Sequence, residues 1–349
     1  MFESTTTRHN PLVDPLLAVW SWEIPLYLFV GGCVAGLMVL GGLALLRVAR
    51  GEDGRSFFSM QAPLAAFMLL NVGMLALLLD LSHRLYVWRV YLTFQTASPM
   101  SWGSWVLLIV YAVLLVSALV RLPQSWPWLA DNVPIVGRAA AALETPQRLR
   151  ALGWANLGLG LGVGTYTGVL LSTMVARPLW NSAALPPLFL VSGLAAGSAL
   201  MYVAAAWRGE RAAPRGLIGG ALFSLIQPVG TQAPAPEARA TLVRLNVALL
   251  VIEGVLIALL LLNLNTSTAS HAAAAALITR GPFAASFWGI DIALGIALPL
   301  ALQALMLARR IPWTVVPALL VLGGGLTLRW VIVNAGQMSQ ILPVASFAP

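Results

Sequence analysis

Eight long apolar stretches follow one another along the chain: Trp20–Leu46, Phe58–Leu81, Trp102–Val120, Leu152–Val175, Pro187–Trp207, Leu242–Leu262, Phe287–Leu307 and Trp313–Gly336. A run of about 20 apolar residues spans the hydrocarbon core of a bilayer as an α-helix. No other open structure satisfies its backbone N–H and C=O groups there. Composition agrees, since hydrophobic residues make up 59% of 349 positions, charged residues only 9%, and mean hydropathy is +0.86. The expectation is an all-α polytopic membrane protein with eight transmembrane helices.

Charge sets the orientation. All 20 basic residues are arginine. Thirteen lie in or beside the loops after helices 1, 3, 5 and 7, and five (Arg8, Arg84, Arg89, Arg177 and Arg280) lie on the opposite side. Arginine excess marks cytoplasmic loops, so both termini and the loops after helices 2, 4 and 6 are expected on the outer face. The expected location is a bacterial or archaeal cytoplasmic membrane, with both termini on the periplasmic side. A basic balance of this kind belongs to lipid topology, and nucleic-acid binding is set aside.

Residues 1–19 read as a short outer-face tail, with Met1–Leu16 preceding a helix that stays in the membrane. Residues 20–180 read as a first four-helix bundle, 181–241 as helix 5 with a cytoplasmic linker, and 242–349 as the remainder of a second bundle. The linker Pro123–Arg150 carries Trp126-Pro127-Trp128 and an Ala-rich amphipathic piece. The linker Arg208–Arg239 has room for a short interfacial or re-entrant segment at Leu217–Leu225. A faint repeat links Leu28–Gly36 in helix 1 with Phe189–Gly197 in helix 5. It reads either as the trace of two tandem four-helix bundles in parallel orientation or as small residues placed for close helix packing.

Polar residues within the spans narrow the function. A carboxylate in a span costs roughly 2.5–3.5 kcal/mol on insertion scales, and such groups mark function or pair with arginine. The orientation brings Glu23, Tyr27, Asp80, His83, Arg84 and Arg177 to the outer half of the first bundle. Tyr166 lies 11 residues before Arg177, about 16 Å deeper at 1.5 Å per residue. A carboxylate, an imidazole and a phenol at one level supply hydrogen-bond partners for two quinone carbonyls and a route for protons. The competing readings are plain: Glu23 and Asp80 as structural partners of Arg84 or Arg177, Tyr27 and Trp20, Trp22, Trp88, Trp102 and Trp105 as an interfacial aromatic belt, and His83 as a solvated loop residue. In the second bundle Asn246, Glu253, Asp291, Gln303, Arg329 and Asn334 form a polar file. Glu253 needs a partner on another helix, with Arg329 the candidate for Glu253 or Asp291. The file reads either as a proton relay or as helix glue.

Redox centres within the chain are limited by counting. Three histidines, His9, His83 and His271, all lie outside the depths of the spans, which gives no ligands for a transmembrane haem. The single cysteine, Cys33, excludes an internal disulfide and a cysteine-ligated iron–sulfur cluster. No metal site is expected, and electrons would have to move through a bound quinone and a partner's cofactor.

Four stretches carry a resemblance: Tyr27–Gly36; Leu79-Asp80-Leu81 with Arg84, Phe94 and Ser98-Pro99-Met100-Ser101-Trp102-Gly103; Tyr166-Thr167-Gly168 with Ala176-Arg177-Pro178-Leu179-Trp180-Asn181; and Leu328-Arg329-Trp330 through Asn334-Ala335-Gly336-Gln337. Spread over nearly the whole chain, they resemble the NrfD/PsrC family, the membrane subunits of polysulfide-reductase-like complexes. The resemblance implies a haem-free subunit that binds menaquinone or ubiquinone near the outer face among helices 1 to 4. It also implies a ferredoxin-like iron–sulfur subunit docked outside, followed by a molybdopterin-type catalytic subunit. Tyr166 falls on the family's quinone-binding tyrosine. At helix 1 positions where some members use Asn and His, this chain has Glu23 and Leu26 or Tyr27.

The resulting expectation assigns quinone contacts to Tyr166, Glu23, Tyr27 and Arg177, and proton transfer to Asp80, Glu23 and His83. Partner docking falls to Ser98, Pro99, Met100 and Trp102. A possible second proton path runs through Glu253, Asp291 and Arg329. An ion-translocating bundle and a purely structural anchor are the rival functions.

Overall fold

The structure, a computed structural model, describes residues 19–206 and 236–342. The expected tail Met1–Leu16 and the expected segment Leu217–Leu225 lie outside the described residues. Among the described residues all regular structure is helical. Eight long helices carry the fold: α1 Glu23–Val48, α2 Phe57–Asp80, α3 Pro99–Ser125, α4 Pro146–Ser172, α5 Leu185–Ala206, α6 Pro236–Thr266, α7 Ala285–Leu307 and α8 Val316–Met338. The first part of α7, Ala285–Ala297, is wound as a π-helix.

Their ends follow local chemistry. Ser98 caps α3 by accepting from the Ser101 N–H at 3.4 Å, with Pro99 in the first turn, where a missing N–H costs nothing. The same helix runs through Pro123 to Ser125, past the expected end at Val120. α4 starts at Pro146, six residues before the expected Leu152, because Gln147, Arg148 and Arg150 lower the hydropathy of a turn that still hydrogen-bonds as helix. Seven of the eight helices are long and apolar enough to cross a membrane by composition. The other is α4, 27 residues long but rich in glycine, and it is wedged against α1, α3 and α5.

Two four-helix groups result. α1 packs on α2 and α4, and α3 closes the first square against α2 and α4. α5 packs on α6 and α8, and α7 closes the second. The groups meet mainly where α1 crosses α5. There the two similar segments touch at equivalent positions. A Cβ on Gly193 would lie 3.0 Å from the Gly32 Cα, and one on Gly197 would lie 2.7 Å from the Gly36 Cα. Lipid supplies no hydrophobic drive between helices, so close backbone approach through small residues carries the association. The packing reading of the repeat accounts for this contact: the repeated glycines are the packing surface, matched like to like across the bundle interface.

Between α3 and α4 the chain forms two short helices, Pro127–Asn132 and Pro134–Leu143. Arg121, fully buried at the end of α3, ties this linker through an ion pair of 2.8 Å to Glu144.

Candidate functional site

The end of the first bundle where α1 begins and α2 ends gathers the unusual polar groups. α1 contributes Glu23 and Tyr27 one turn apart, α2 ends on Asp80, and α4 contributes Tyr166; all four are half-buried. Asp80 lies within electrostatic reach of Glu23, and Tyr27 within reach of both Tyr166 and Tyr91. The Glu23 Oε2 atom is buried and has no hydrogen-bond partner among the described residues. An oxygen of this kind in a span needs a donor, because an unsatisfied buried acceptor costs about 1–3 kcal/mol.

Tyr166 is set by the first turn of α3. Its hydroxyl donates to the Pro99 carbonyl at 2.7 Å. Gly103, one turn on, leaves the space that the phenol occupies: a Cβ there would lie 2.0 Å from the hydroxyl oxygen. The Ser-Pro-Met-Ser-Trp-Gly motif is thus the cradle of Tyr166 as well as a helix start.

The same motif fixes the loop beside the site. Gln95 N–H donates to Ser101 Oγ at 3.0 Å, and Trp102 Nε1 donates to the Thr96 carbonyl at 2.9 Å. Phe94 packs edge-on against Trp102 and Trp105, with ring centroids 4.8 and 6.0 Å apart. Of the residues expected at a docking surface, Met100 and Trp102 are exposed, while Ser98 and Pro99 are half-buried by capping and by Tyr166. The preceding 3-10 turn Arg84–Tyr91 has no buried residue and presents Leu85, Tyr86 and Trp88 outward.

Two expected residues sit elsewhere than in this cluster. His83 is exposed, edge-on to Tyr86 at 6.4 Å, on the rim of an open depression that Asp80 also lines. Arg177 is buried, and its Nη1 donates to the carbonyls of Gln337 and Ser339 at 3.0 and 2.9 Å. It covers the C-terminal carbonyls of α8, where a cation suits the helix dipole. Its motif neighbour Trp180 is fully buried on Gly336 and donates to the Ile332 carbonyl at 2.8 Å. Gln337 in turn accepts from Trp20 N–H at 2.9 Å and donates to the Trp20 carbonyl. Arg-Pro-Leu-Trp and Asn-Ala-Gly-Gln are therefore two halves of one clasp, joining the start of α1, the α4–α5 turn and the end of α8.

The second bundle holds a buried network. Arg329 is 1% exposed and donates to the carbonyls of Leu28, Gly325 and Phe189 and to Ser192 Oγ, at 3.2, 2.8, 3.3 and 3.0 Å. Direct pairing with Glu253 or Asp291 is not what the side chain does: among the described residues it forms no ion pair with either. Ser192 intervenes, bonding to Glu253 as well. The reason is steric, since the carbonyls of α1 and α5 at their close crossing present acceptors nearer than the carboxylates. Asp291, buried on the π-wound part of α7, remains within electrostatic reach of Glu253 and Arg329, and its Oδ2 has no partner among the described residues. Two turns from Glu253, Asn246 donates to Ser198 Oγ at 2.8 Å and accepts from Gln303 Nε2 at 2.8 Å. Tyr91, the Gly103 cradle, Ser192 and Ser198 were not among the sequence expectations; only the glycine in Ser-Trp-Gly-Ser offered a signal. Among the described residues no three His, Cys, Asp or Glu side chains group as a metal site.

Comparison with known proteins covers the same length of sequence. The model of the family described as polysulphide reductase, NrfD, matches residues 9–341. A polysulfide reductase chain from Wolinella succinogenes is 28% identical over 333 residues, 91% of this protein and 94% of the relative. Protein NrfD of Escherichia coli is 31% identical over 198 residues, 54% of this protein and 60% of the relative. A selenate reductase subunit from Mesobacillus selenatarsenatis is 27% identical over 205 residues, 52% of this protein and 46% of the relative. With its eight helices in two groups and a family match across all of them, the chain belongs to the NrfD family of polysulphide reductase membrane proteins.

Proposed function

We propose that this protein is the quinone-interacting membrane subunit of a respiratory oxidoreductase, passing electrons to or from an iron–sulfur subunit docked at the face where α1 begins. The observation that carries this reading is the cluster of Glu23, Tyr27, Asp80 and Tyr166 beside an exposed aromatic loop, with the Glu23 Oε2 atom lacking a partner among the described residues. A buried acceptor without a donor fits a quinol hydroxyl, and a tyrosine hydroxyl fits a quinone carbonyl. Menaquinone or ubiquinone, when bound, supplies two-electron chemistry coupled to two protons.

In this reading Gly103 and the first turn of α3 hold Tyr166 in position, and its one hydroxyl hydrogen, donated to the Pro99 carbonyl in the unliganded site, turns to the ring oxygen when quinone binds. Glu23 accepts a hydrogen from the other side, and Tyr27 closes the apolar wall. Asp80, at the helix end beside the open depression, exchanges protons between Glu23 and the outer aqueous phase, with His83 at the rim. Arg177 acts by holding the clasp. Both termini face the periplasm, and the molybdopterin-type catalytic subunit sits beyond the iron–sulfur partner, consistent with relatives named as parts of polysulfide and selenate reductases.

A second reading concerns α5–α8. Two carboxyls and one guanidinium in a dry core reach neutrality with one proton shared between Glu253 and Asp291. The unpartnered Asp291 Oδ2 favours a proton relay over inert helix glue, which would leave no acceptor open.

The test is turnover of the purified complex with its native quinone, together with binding of a quinone-site inhibitor. Tyr166→Phe is expected to impair both while leaving assembly intact. Full activity and unchanged inhibitor affinity would remove Tyr166 from the site. Glu253→Gln and Asp291→Asn are expected to alter protons moved per electron without touching inhibitor binding.

A further inference from the structure

At the face opposite the tyrosine cluster, the start of α6 and the α7–α8 turn enclose an open basin of about 1150 Å³. Arg239, Arg244, Arg309 and Arg310 line it, against a single carboxylate, Glu237. Among the described residues none of these arginines is in an ion pair. Arg239 donates to the Ala205 carbonyl at 3.3 Å, and its buried Nε has no partner among the described residues. Four cations and one anion around one concavity leave a surplus of about three charges to be met by something anionic.

The backbone shows that arginine is placed here for its side chain. α7 ends in a Schellman arrangement, with Arg310 N–H donating to the Leu305 carbonyl and Arg309 N–H to the Met306 carbonyl. The residue in the left-handed slot is Arg309, with φ of 56°, the only non-glycine residue with positive φ among those described. That slot is ordinarily taken by glycine, because a Cβ is strained there. Keeping an arginine at a strained position, next to a second one, calls for a use of the guanidinium.

Depth identifies the ligand. α6 has 31 residues, about 46 Å of helix, against a hydrocarbon core of about 30 Å. Its first turn, with Arg239, therefore stands at headgroup level, and the exposed Arg244, just inside the apolar span, reaches that level with its long side chain. Trp313 in the α7–α8 turn is 46% exposed on the same basin, an amphipathic ring of the kind that settles at the membrane interface. A basic concavity between helices at this level matches a phospholipid phosphate, bound through paired guanidinium donors.

We propose that the basin between α6 and the α7–α8 turn is a binding site for an anionic phospholipid headgroup, with the paired phosphates of cardiolipin as its best charge match. Arg309 and Arg310 grip one phosphate from the helix end, Arg239 and Arg244 the other, and Trp313 lies against the glycerol and upper acyl region. The site is independent of the quinone reading, since the two lie at opposite faces.

The test uses the whole complex, delipidated in detergent, with thermal midpoint and retained lipid measured by native mass spectrometry. Micelles of phosphatidylcholine with cardiolipin are expected to raise the midpoint, whereas phosphatidylcholine alone or inorganic phosphate is not. Arg309→Gly relieves the strained backbone yet removes the guanidinium. It is expected to weaken cardiolipin binding roughly tenfold, the loss of one charge-assisted contact, with quinone-linked turnover in detergent unchanged. Arg310→Gln is expected to behave alike. An equal response to phosphatidylcholine, an equal response to inorganic phosphate, or wild-type cardiolipin binding in both variants would each overturn the proposal.

Discussion

Replacing Gly103 by alanine tests how Tyr166 is held. The added methyl would lie 2.0 Å from the Tyr166 hydroxyl oxygen, 2.3 Å from Cζ and 2.6 Å from Cε1. Non-bonded heavy atoms need about 3.5 Å, so the hydroxyl must retreat by about 1.5 Å. That retreat breaks the 2.7 Å hydrogen bond to the Pro99 carbonyl, because both groups sit on the first turn of α3. Displacing a positioning group by 1 Å costs on the order of a hundredfold in rate. Gly103→Ala is therefore expected to lower quinone-linked turnover by roughly ten- to a hundredfold, with the complex still assembled. Steady-state turnover of Gly103→Ala, Tyr166→Phe and the double variant is the assay. If the alanine acts through Tyr166, the double variant resembles the more impaired single one. Wild-type turnover in Gly103→Ala, or losses that multiply in the double variant, would refute the cradle.

Three further outcomes follow from the packing. Gly336→Ala drives a methyl to within 1.8 Å of Trp180 Nε1, and overpacking of this kind should destabilise by about 1–3 kcal/mol, read as a lower thermal midpoint with unchanged inhibitor affinity. Arg177→Met removes charged donors from the Gln337 and Ser339 carbonyls; at about 1.5–3 kcal/mol per such bond, it should lower stability rather than quinone affinity. Arg329→Met should sharply reduce assembled protein, and Arg329→Met combined with Glu253→Gln should recover part of it, because the double change removes the stranded carboxylate; immunodetection of membrane-inserted protein decides between them.

Much of the fold was legible because lipid imposes so strict a rule on apolar runs. Seven spans stand out by hydropathy alone. The helix α4 was legible as well, as the apolar run Leu152–Val175, although its glycines lower its hydropathy; Gly153, Gly160, Gly164 and Gly168 meet its neighbours, while Gly158 and Gly162 face open space. Ends were less legible: Gln147, Arg148 and Arg150 are polar, yet the backbone gains its hydrogen bonds by continuing as helix outside the lipid. Within the candidate site, helix direction and depth put Glu23, Tyr27, Asp80 and Tyr166 in the outer half of the first bundle, and the structure gathers them at one end of it. Arg177 could not, since depth alone does not tell which way a long side chain turns, and the carbonyls that attract it lie 160 residues away. Arg329 shows the same limit: a guanidinium near two carboxylates reads as an ion pair, but the close crossing of α1 and α5 offers it backbone oxygens first.

The central claim, that the outer end of the first bundle holds the quinone, is tested most directly by photolabelling the purified complex with an azido-quinone and mapping the modified peptides. Label is expected on the segments carrying Glu23 and Tyr27, Asp80, and Tyr166, competed by native quinone and lost in Tyr166→Phe. Competed label confined to α5–α8, with none on those segments, would contradict it.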